Sequence, residues 1–298
     1  MLQLHNTVNL GGTASNIAVA RIGHGLMRMT WRPDPVSDEV AFEAIKTGLD
    51  SLPAGAKMLL NSSEFYGINP RTANVELVAR FFEKYPSYVD KAFLSVKGGS
   101  KPDRLERDAS PENLRQSVDG INSKLRGTKR LDHFECARVD EKYEIEDQMR
   151  TLAGFVAEGK FDHVGLSEVT AEQIKRANKI VAVSFVEVEI SPWVYPPKIK
   201  DVIETCRELK IAVVAYSPVG GGALLNKERN PGLVKVLDEI ASKLQVTLGQ
   251  VCLAWVASRG PHVIPLPGSS NKARLVENLA AGDLILSPED ATKIDAVV

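Results

Sequence analysis

Cysteine is scarce in this chain, and its spacing excludes several chemistries. Cys136, Cys206 and Cys252 are the only three among 298 residues, and no two form a CxxC pair. That argues against a disulfide framework or a structural zinc site and fits a reducing compartment, with each thiol read as core. Histidine is nearly as sparse: the five, at positions 5, 24, 133, 163 and 262, show neither HxH nor HExxH spacing, so no metal site is expected. A nucleophile elbow is missing as well. No apolar run is long enough to span a bilayer, and the first residues lack a signal-peptide core, so the expected location is cytoplasmic. Neither sign of charge dominates. With 37 basic and 38 acidic side chains, there is no global field to attract nucleic acid or an anionic membrane, although a local phosphate site remains open. The expected partners are small molecules.

What the chain does have is a hydrophobic fraction of 44%, ample for a large core, and a regular alternation of buried strands with amphipathic helices. Residues 3–10 and 17–21 flank Gly11-Gly12-Thr13-Ala14-Ser15 and suggest a hairpin ahead of the main fold. The βα units that follow place strands near 19–22, 57–60, 92–96, 131–137, 163–166, 183–190, 211–215 and 263–266. Helices are expected near 37–52, 72–84 and 111–125, from Ile145, Ala171 and Lys198, and near 232–244, 248–258 and 272–280. Eight such units with no break in composition predict a (β/α)8 TIM barrel spanning 1–298 as one domain. Extra C-terminal helical structure begins with Ser287 as cap and Pro288 in the first turn.

Ligands of parallel α/β folds bind beyond the carboxyl ends of the strands. There the run Met58-Leu59-Leu60 passes into Asn61-Ser62-Ser63-Glu64-Phe65-Tyr66-Gly67, which presents Tyr66 on a loop. Lys97 closes the next strand before Gly98-Gly99. Beside a tyrosine its ammonium would favour the phenolate; alone in an apolar pocket it could act as a Schiff-base nucleophile, and a solvated strand-end lysine is the bland alternative. The loop Pro267-Gly268-Ser269-Ser270 and the helix start Asn271-Lys272-Ala273-Arg274 read as a phosphate site, or else as a capped helix with a basic surface. Gly220-Gly221-Gly222 is a weaker phosphate-loop signal. Tyr216 either stacks on a planar ligand or is structural. On the strand 131–137, Phe134 and Cys136 share an apolar face, which sends His133, Glu135 and Ala137 inward, where the two titratable groups require partners.

With these stretches placed, the sequence resembles the aldo-keto reductases over nearly its whole length, and within them the fungal pyridoxal reductase group. The closer match is carried by Thr30-Trp31-Arg32-Pro33, NSSEFYGINP at 61–70, Phe82-Glu83-Lys84-Tyr85-Pro86, FLSVKGG at 93–99 and Cys136-Ala137-Arg138-Val139-Asp140. The resemblance implies a monomeric enzyme that transfers hydride from NADPH to an aldehyde, pyridoxal first, or another aryl or aliphatic aldehyde. Tyr66 would be the proton donor, Lys97 its activator and Asn61 the hydrogen-bond partner of Lys97. Ser167, Glu168 and Glu187 would hold the nicotinamide amide, and Tyr216 would stack on the ring, with Ser217 and Val219 beside it. Gly268, Ser269, Ser270 and Arg274 would hold the adenosine phosphates, Glu277 and Asn278 the adenine. Trp31, Ala137 and Arg138 would line the substrate.

The family at large carries an aspartate where this chain has Asn61 and a histidine where it has Ala137, so half of its usual tetrad is replaced. Glu135 then either supplies part of the missing negative charge near Lys97 or is satisfied by other barrel groups. The segment 220–231 is shorter than in the pyridoxal reductases. Two readings of another kind stand beside the reductase: a non-catalytic NADP(H)-binding sensor, and a Schiff-base lyase using Lys97.

Overall fold

The computed structural model describes residues 2–101, 104–221 and 230–298; the glycine Gly222 and most of the shortened segment lie outside them. A two-stranded antiparallel hairpin, β1 (Thr7–Asn9) and β2 (Ala18–Ala20), precedes the barrel. Eight parallel strands follow in chain order: β3 (His24–Gly25), β4 (Met58–Ser63), β5 (Ala92–Gly98), β6 (His133–Cys136), β7 (His163–Ser167), β8 (Val183–Glu189), β9 (Ala212–Tyr216) and β10 (Val263–Leu266). The first and last strands meet where Gly23 and Gly25 donate to the carbonyls of Pro265 and Pro267 at 2.9 and 3.0 Å. This is the expected (β/α)8 barrel.

The helices are α1 (Met27–Thr30), α2 (Asp38–Asp50), α3 (Ala73–Lys84), α4 (Pro111–Leu125), α5 (Ile145–Ala157), α6 (Ala171–Asn178), α7 (Pro197–Leu209), α8 (Pro231–Leu244), α9 (Leu248–Ala257), α10 (Lys272–Ala280) and α11 (Pro288–Asp295). Their starts follow local chemistry. Thr170 and Thr247 each close a capping box with a glutamine three residues on, and Ser287 accepts from the Asp290 backbone at 3.1 Å, as the sequence suggested.

One strand differs from expectation. The segment 19–22 is split: Val19 pairs in the hairpin, and the barrel strand proper is the two-residue β3 further on. Apolar patterning could not separate them, because Val19 and Ile22 are both fully buried but face different cores. Val8, Leu10, Ala14 and Val19 close the amino-terminal mouth of the barrel against Leu59, Phe93, Phe185, Ala212, Val214, Ile264 and Leu266, while a larger apolar shell lies between strands and helices. The plug depends on Gly12, whose φ is +51° and whose missing Cβ would lie 2.6 Å from the Val183 carbonyl.

Higher in the barrel, Gly165 on β7 makes room for its neighbours. A Cβ there would fall 2.2 Å from His133 Nε2, and His133 stacks on Phe185 with ring centres 3.8 Å apart. His133 is fully buried with Nδ1 bonded to Ser95 Oγ at 3.0 Å, and burial holds the imidazole neutral, well below its ordinary pKa. Gly165→Ala is therefore expected to destabilise the protein by about 1–3 kcal/mol, as overpacking does. An unchanged denaturant midpoint would show that the stack can shift without cost.

Candidate active site

The carboxyl ends of β4, β5 and β8 bring three side chains into one buried hydrogen-bonded triangle. Lys97 Nζ donates to Asn61 Oδ1 at 2.5 Å and to Glu187 Oε1 at 2.8 Å, and Asn61 Nδ2 donates to Glu187 Oε2 at 2.6 Å. The two bonds fix which way the Asn61 amide points, since its oxygen must meet the ammonium. All three residues are at most 5% exposed. Burial pushes the Lys97 ammonium toward neutrality, but the Glu187 carboxylate, with Tyr66 and Glu135 behind it, outweighs that and holds its pKa above the ordinary lysine value. A lysine so held stays charged and is a poor Schiff-base nucleophile.

Tyr66 sits over this triangle. Lys97 Nζ lies 5.3 Å from the centre of its ring. Burial raises the phenol above its ordinary pKa, the Lys97 ammonium opposes the rise and Glu187 adds to it, so the hydroxyl carries its proton throughout the neutral range. The ring is packed on the other side by Trp31, stacked at 5.5 Å, and by Phe65, edge-on at 5.6 Å. The turn that carries Tyr66 is anchored through buried polar groups. Thr30 Oγ1 donates to the Tyr66 carbonyl at 2.5 Å, Asn74 Nδ2 donates to Thr30 Oγ1 at 2.6 Å and to the Leu26 carbonyl at 2.9 Å, and Ser62 Oγ donates to Asn74 Oδ1 at 2.7 Å. Glu64, two residues before Tyr66, accepts from Ser117 Oγ at 2.6 Å and from the Ser100 backbone at 3.2 Å, which ties the turn to α4 and to the loop after β5.

Glu135 faces inward, as alternation on its strand required, and is fully buried. Although it is the register partner of Lys97 on the adjacent strand, the carboxylate bonded to Lys97 is that of Glu187. Neither Glu135 oxygen receives a hydrogen bond from a donor among the described residues. Burial first, and then the Glu187 carboxylate, push Glu135 well above the usual carboxyl range. The other carboxylate of the expected amide pair is placed elsewhere. Glu168, at φ +56°, accepts from the Glu189 backbone at 3.2 Å, and it interacts with Tyr216, whose phenol is raised by burial first and by Glu168 next.

The remaining expected residues follow the strand order. Ser167 ends β7, and its hydroxyl is buried without a partner among the described residues. Tyr216 ends β9, half-buried, and Ser217 and Val219 follow on its loop. Beyond β10, exposed Gly268 packs against Gly25, and His24 Nε2 bonds to the Ser269 carbonyl at 2.8 Å; Ser270 is half-buried. The α10 start is capped by Asn271 Oδ1 on the Arg274 backbone at 3.0 Å. Of the two cations expected there, Lys272 pairs with Glu43 at 2.5 Å, whereas exposed Arg274 makes no ion pair among the described residues. Glu277 accepts from Thr247 Oγ1 at 2.7 Å, and Asn278 is buried one residue on. Ala137 is half-buried just past β6, with exposed Arg138 folded back on its carbonyl at 2.7 Å. Two arcs of the rim thus differ in character. The rim from β3 to β6 carries Trp31, Tyr66, Lys97, Ala137 and Arg138; the rim from β7 to β10 carries Ser167, Tyr216, the serine loop and Arg274.

Sequence reasoning did not find the Glu187–Lys97 bond. The signal was present, since Phe185, Glu187 and Glu189 alternate with Val186 and Val188 and therefore share the inward face. Which inward carboxylate meets Lys97 depends on distances across the barrel, which no local pattern carries.

A parallel barrel with a buried tyrosine–lysine pair at its carboxyl rim defines an oxidoreductase-like site, and the comparisons with known proteins agree. The aldo/keto reductase family model matches residues 21–298. The chain is 36% identical to the probable pyridoxal reductase 2 of Schizosaccharomyces pombe over 94% of this chain and 92% of that one. It is 31% identical to the putative pyridoxal reductase of Saccharomyces cerevisiae over 89% of this chain and 88% of that one. Among solved structures, a thermostable aldo-keto reductase crystallised with the inhibitor epalrestat superposes with a TM-score of 0.80, at 21% identity, covering 99% of this chain and 100% of that one. An aldo/keto reductase from Klebsiella pneumoniae in complex with NADP and acetate gives 0.76, at 21% identity, over 98% and 95%; at such identity these two speak for the fold. The chain belongs to the aldo/keto reductase family.

Proposed function

We propose that the protein reduces an aldehyde to the alcohol with NADPH, and that pyridoxal is its substrate. The observation that carries this reading is the buried Tyr66 phenol, still protonated at neutral pH, against a Lys97 ammonium at the carboxyl rim of the barrel. Bound NADPH would supply the hydride. The residues present suit it at both ends: Ser167 offers a buried hydroxyl with no partner of its own among the described residues, and the exposed Arg274 guanidinium, which makes no ion pair among the described residues, can meet a phosphate.

Tyr66 gives its proton to the oxygen of the reacting carbonyl, and Lys97 stabilises the phenolate that remains. The Trp31 ring, already stacked on Tyr66, gives a flat substrate an aromatic wall, and the small Ala137 side chain leaves room for a ring on the opposite side. The names of the two fungal relatives support pyridoxal in particular.

A panel of aldehydes that includes pyridoxal, followed by NADPH absorbance, tests the reading. Turnover of none of them would sink it, and a strong preference for small aliphatic aldehydes would remove pyridoxal. Arg274→Ala is expected to weaken NADPH about ten- to a hundred-fold while sparing NADH, because a charge-assisted contact of about 1.5–3 kcal/mol is lost only where a 2′-phosphate is present. Equal losses for both cofactors would show that Arg274 does not read that phosphate.

A further inference from the structure

The Lys97–Asn61–Glu187 triangle contains one amide and one carboxylate where a buried ammonium needs one anion, and a second carboxyl, Glu135, lies against it. We infer that Glu187 is the positioning residue that holds the Lys97 ammonium under Tyr66, and that Glu135 is a neutral acid donating its proton to Glu187, so that the cluster carries a single negative charge. This rests on the reductase reading for its catalytic consequence, but not for its charge balance.

Three observations support it. Both Glu187 oxygens are engaged, one by Lys97 and one by Asn61, at 2.8 and 2.6 Å, which leaves the side chain committed to the lysine. Both Glu135 oxygens are buried with no donor among the described residues; an ionised carboxylate there would be uncompensated, whereas the acid has its own proton to give. Among the described residues, the neighbours place only one further charge near the cluster, that of Arg138 at the rim. Glu187 is faced by Asn61 from β4, Tyr66 from the turn after β4, Lys97 from β5 and Glu135 from β6. Neutral His133 lies one pleat deeper, and Arg138 acts on Glu135 from the rim. The register partners of Glu187 on β7 and β9 are Ser167 and Val214, which carry no charge.

The test is to exchange amide and carboxylate between positions 61 and 187. Glu187→Gln leaves Lys97 with no carboxylate bonded to it and removes a charge that favours the protonated phenol. The alkaline fall in reductase activity should then move down by about one pH unit, and the melting temperature should drop by several degrees. Asn61→Asp crowds a second carboxylate against Glu187, so the fall should move up, again with a lower melting temperature. Combining the two restores one anion beside Lys97, and the pH profile and melting temperature should both return toward wild type, a coupling that independent structural losses would not give. Glu135→Gln, whose amide can still donate to Glu187, should keep the alkaline limb where it is.

Additive losses in the double variant would overturn the inference. So would a Glu187→Gln variant that raises the KM for NADPH with no shift in pH profile, since that result would make Glu187 a cofactor residue. A shift on Glu135→Gln as large as that on Glu187→Gln would place the charge on Glu135 instead. If the wild-type protein reduces no aldehyde, the reductase reading fails by itself, and the melting temperatures of the single and double variants still decide the charge assignment.

Discussion

Tyr66→Phe is expected to lower kcat for aldehyde reduction by about a hundred- to ten-thousand-fold, the usual worth of a positioned general acid, while NADPH binding and fold stay intact. The structure supports this separation of effects. The Tyr66 ring is held by stacking on Trp31 and by edge contact with Phe65, and its backbone carbonyl by Thr30; a phenylalanine keeps all three. Only the hydroxyl is lost, and it is the group beside Lys97. The cofactor residues proposed here lie on the other arc of the rim. Because burial raises the phenol above its ordinary value, the wild-type rate of reduction should be flat through neutral pH and fall only above the ordinary tyrosine range. An undiminished rate in Tyr66→Phe, measured by single-turnover NADPH oxidation, would mean that the proton comes from another group.

Lys97→Met should cost both activity and stability. The substitution keeps most of the side-chain volume but leaves the Glu187 carboxylate buried without its cation, held only by the neutral Asn61 amide and the Glu135 acid, and removing one member of a buried ion pair typically costs about 3–5 kcal/mol. Activity should fall with it, because the phenolate of Tyr66 loses its neighbouring positive charge. The sign of the pH dependence follows from the raised pKa of Lys97. A group raised on folding stabilises fully below its unfolded value, about 10.4 for lysine, and that contribution is lost only as pH rises through the higher folded value. The gap in unfolding free energy between wild type and Lys97→Met should therefore be wide at neutral pH and narrow above roughly pH 10.4. A variant as stable as wild type at pH 7 would show that the Lys97–Glu187 pair contributes nothing net to stability.

Much of the candidate site is legible in the sequence. Lys97 ends a run of buried strand residues and was placed at the carboxyl rim on that ground, as was Tyr66. The inward face of β6 followed from the alternation of Phe134 and Cys136 with His133 and Glu135. The cap at Ser287 followed from turn chemistry, and α4 occupies the expected 111–125. Where the reading missed, the signal was weak or non-local. The strand β3 is two residues long and includes a glycine, so it has no periodicity to detect, and α1 is a single turn. Lys272 looked available for phosphate, and only the packing of α10 on α2 showed that it pairs with Glu43.

The sequence by itself determined the eightfold order of strands and helices, the rim on which the chemistry sits and the residue types found there, because buried runs, caps and turns are written in consecutive residues. The tertiary structure decided which groups meet. Lys97 has its register partner Glu135 on the adjacent strand, yet its bond goes to Glu187 on β8, three strands away in the sheet order. The reason is geometric: closing the sheet into a barrel sets inward side chains from distant strands against one another. The low dielectric inside then selects the arrangement with one anion for one cation and leaves the second acid protonated.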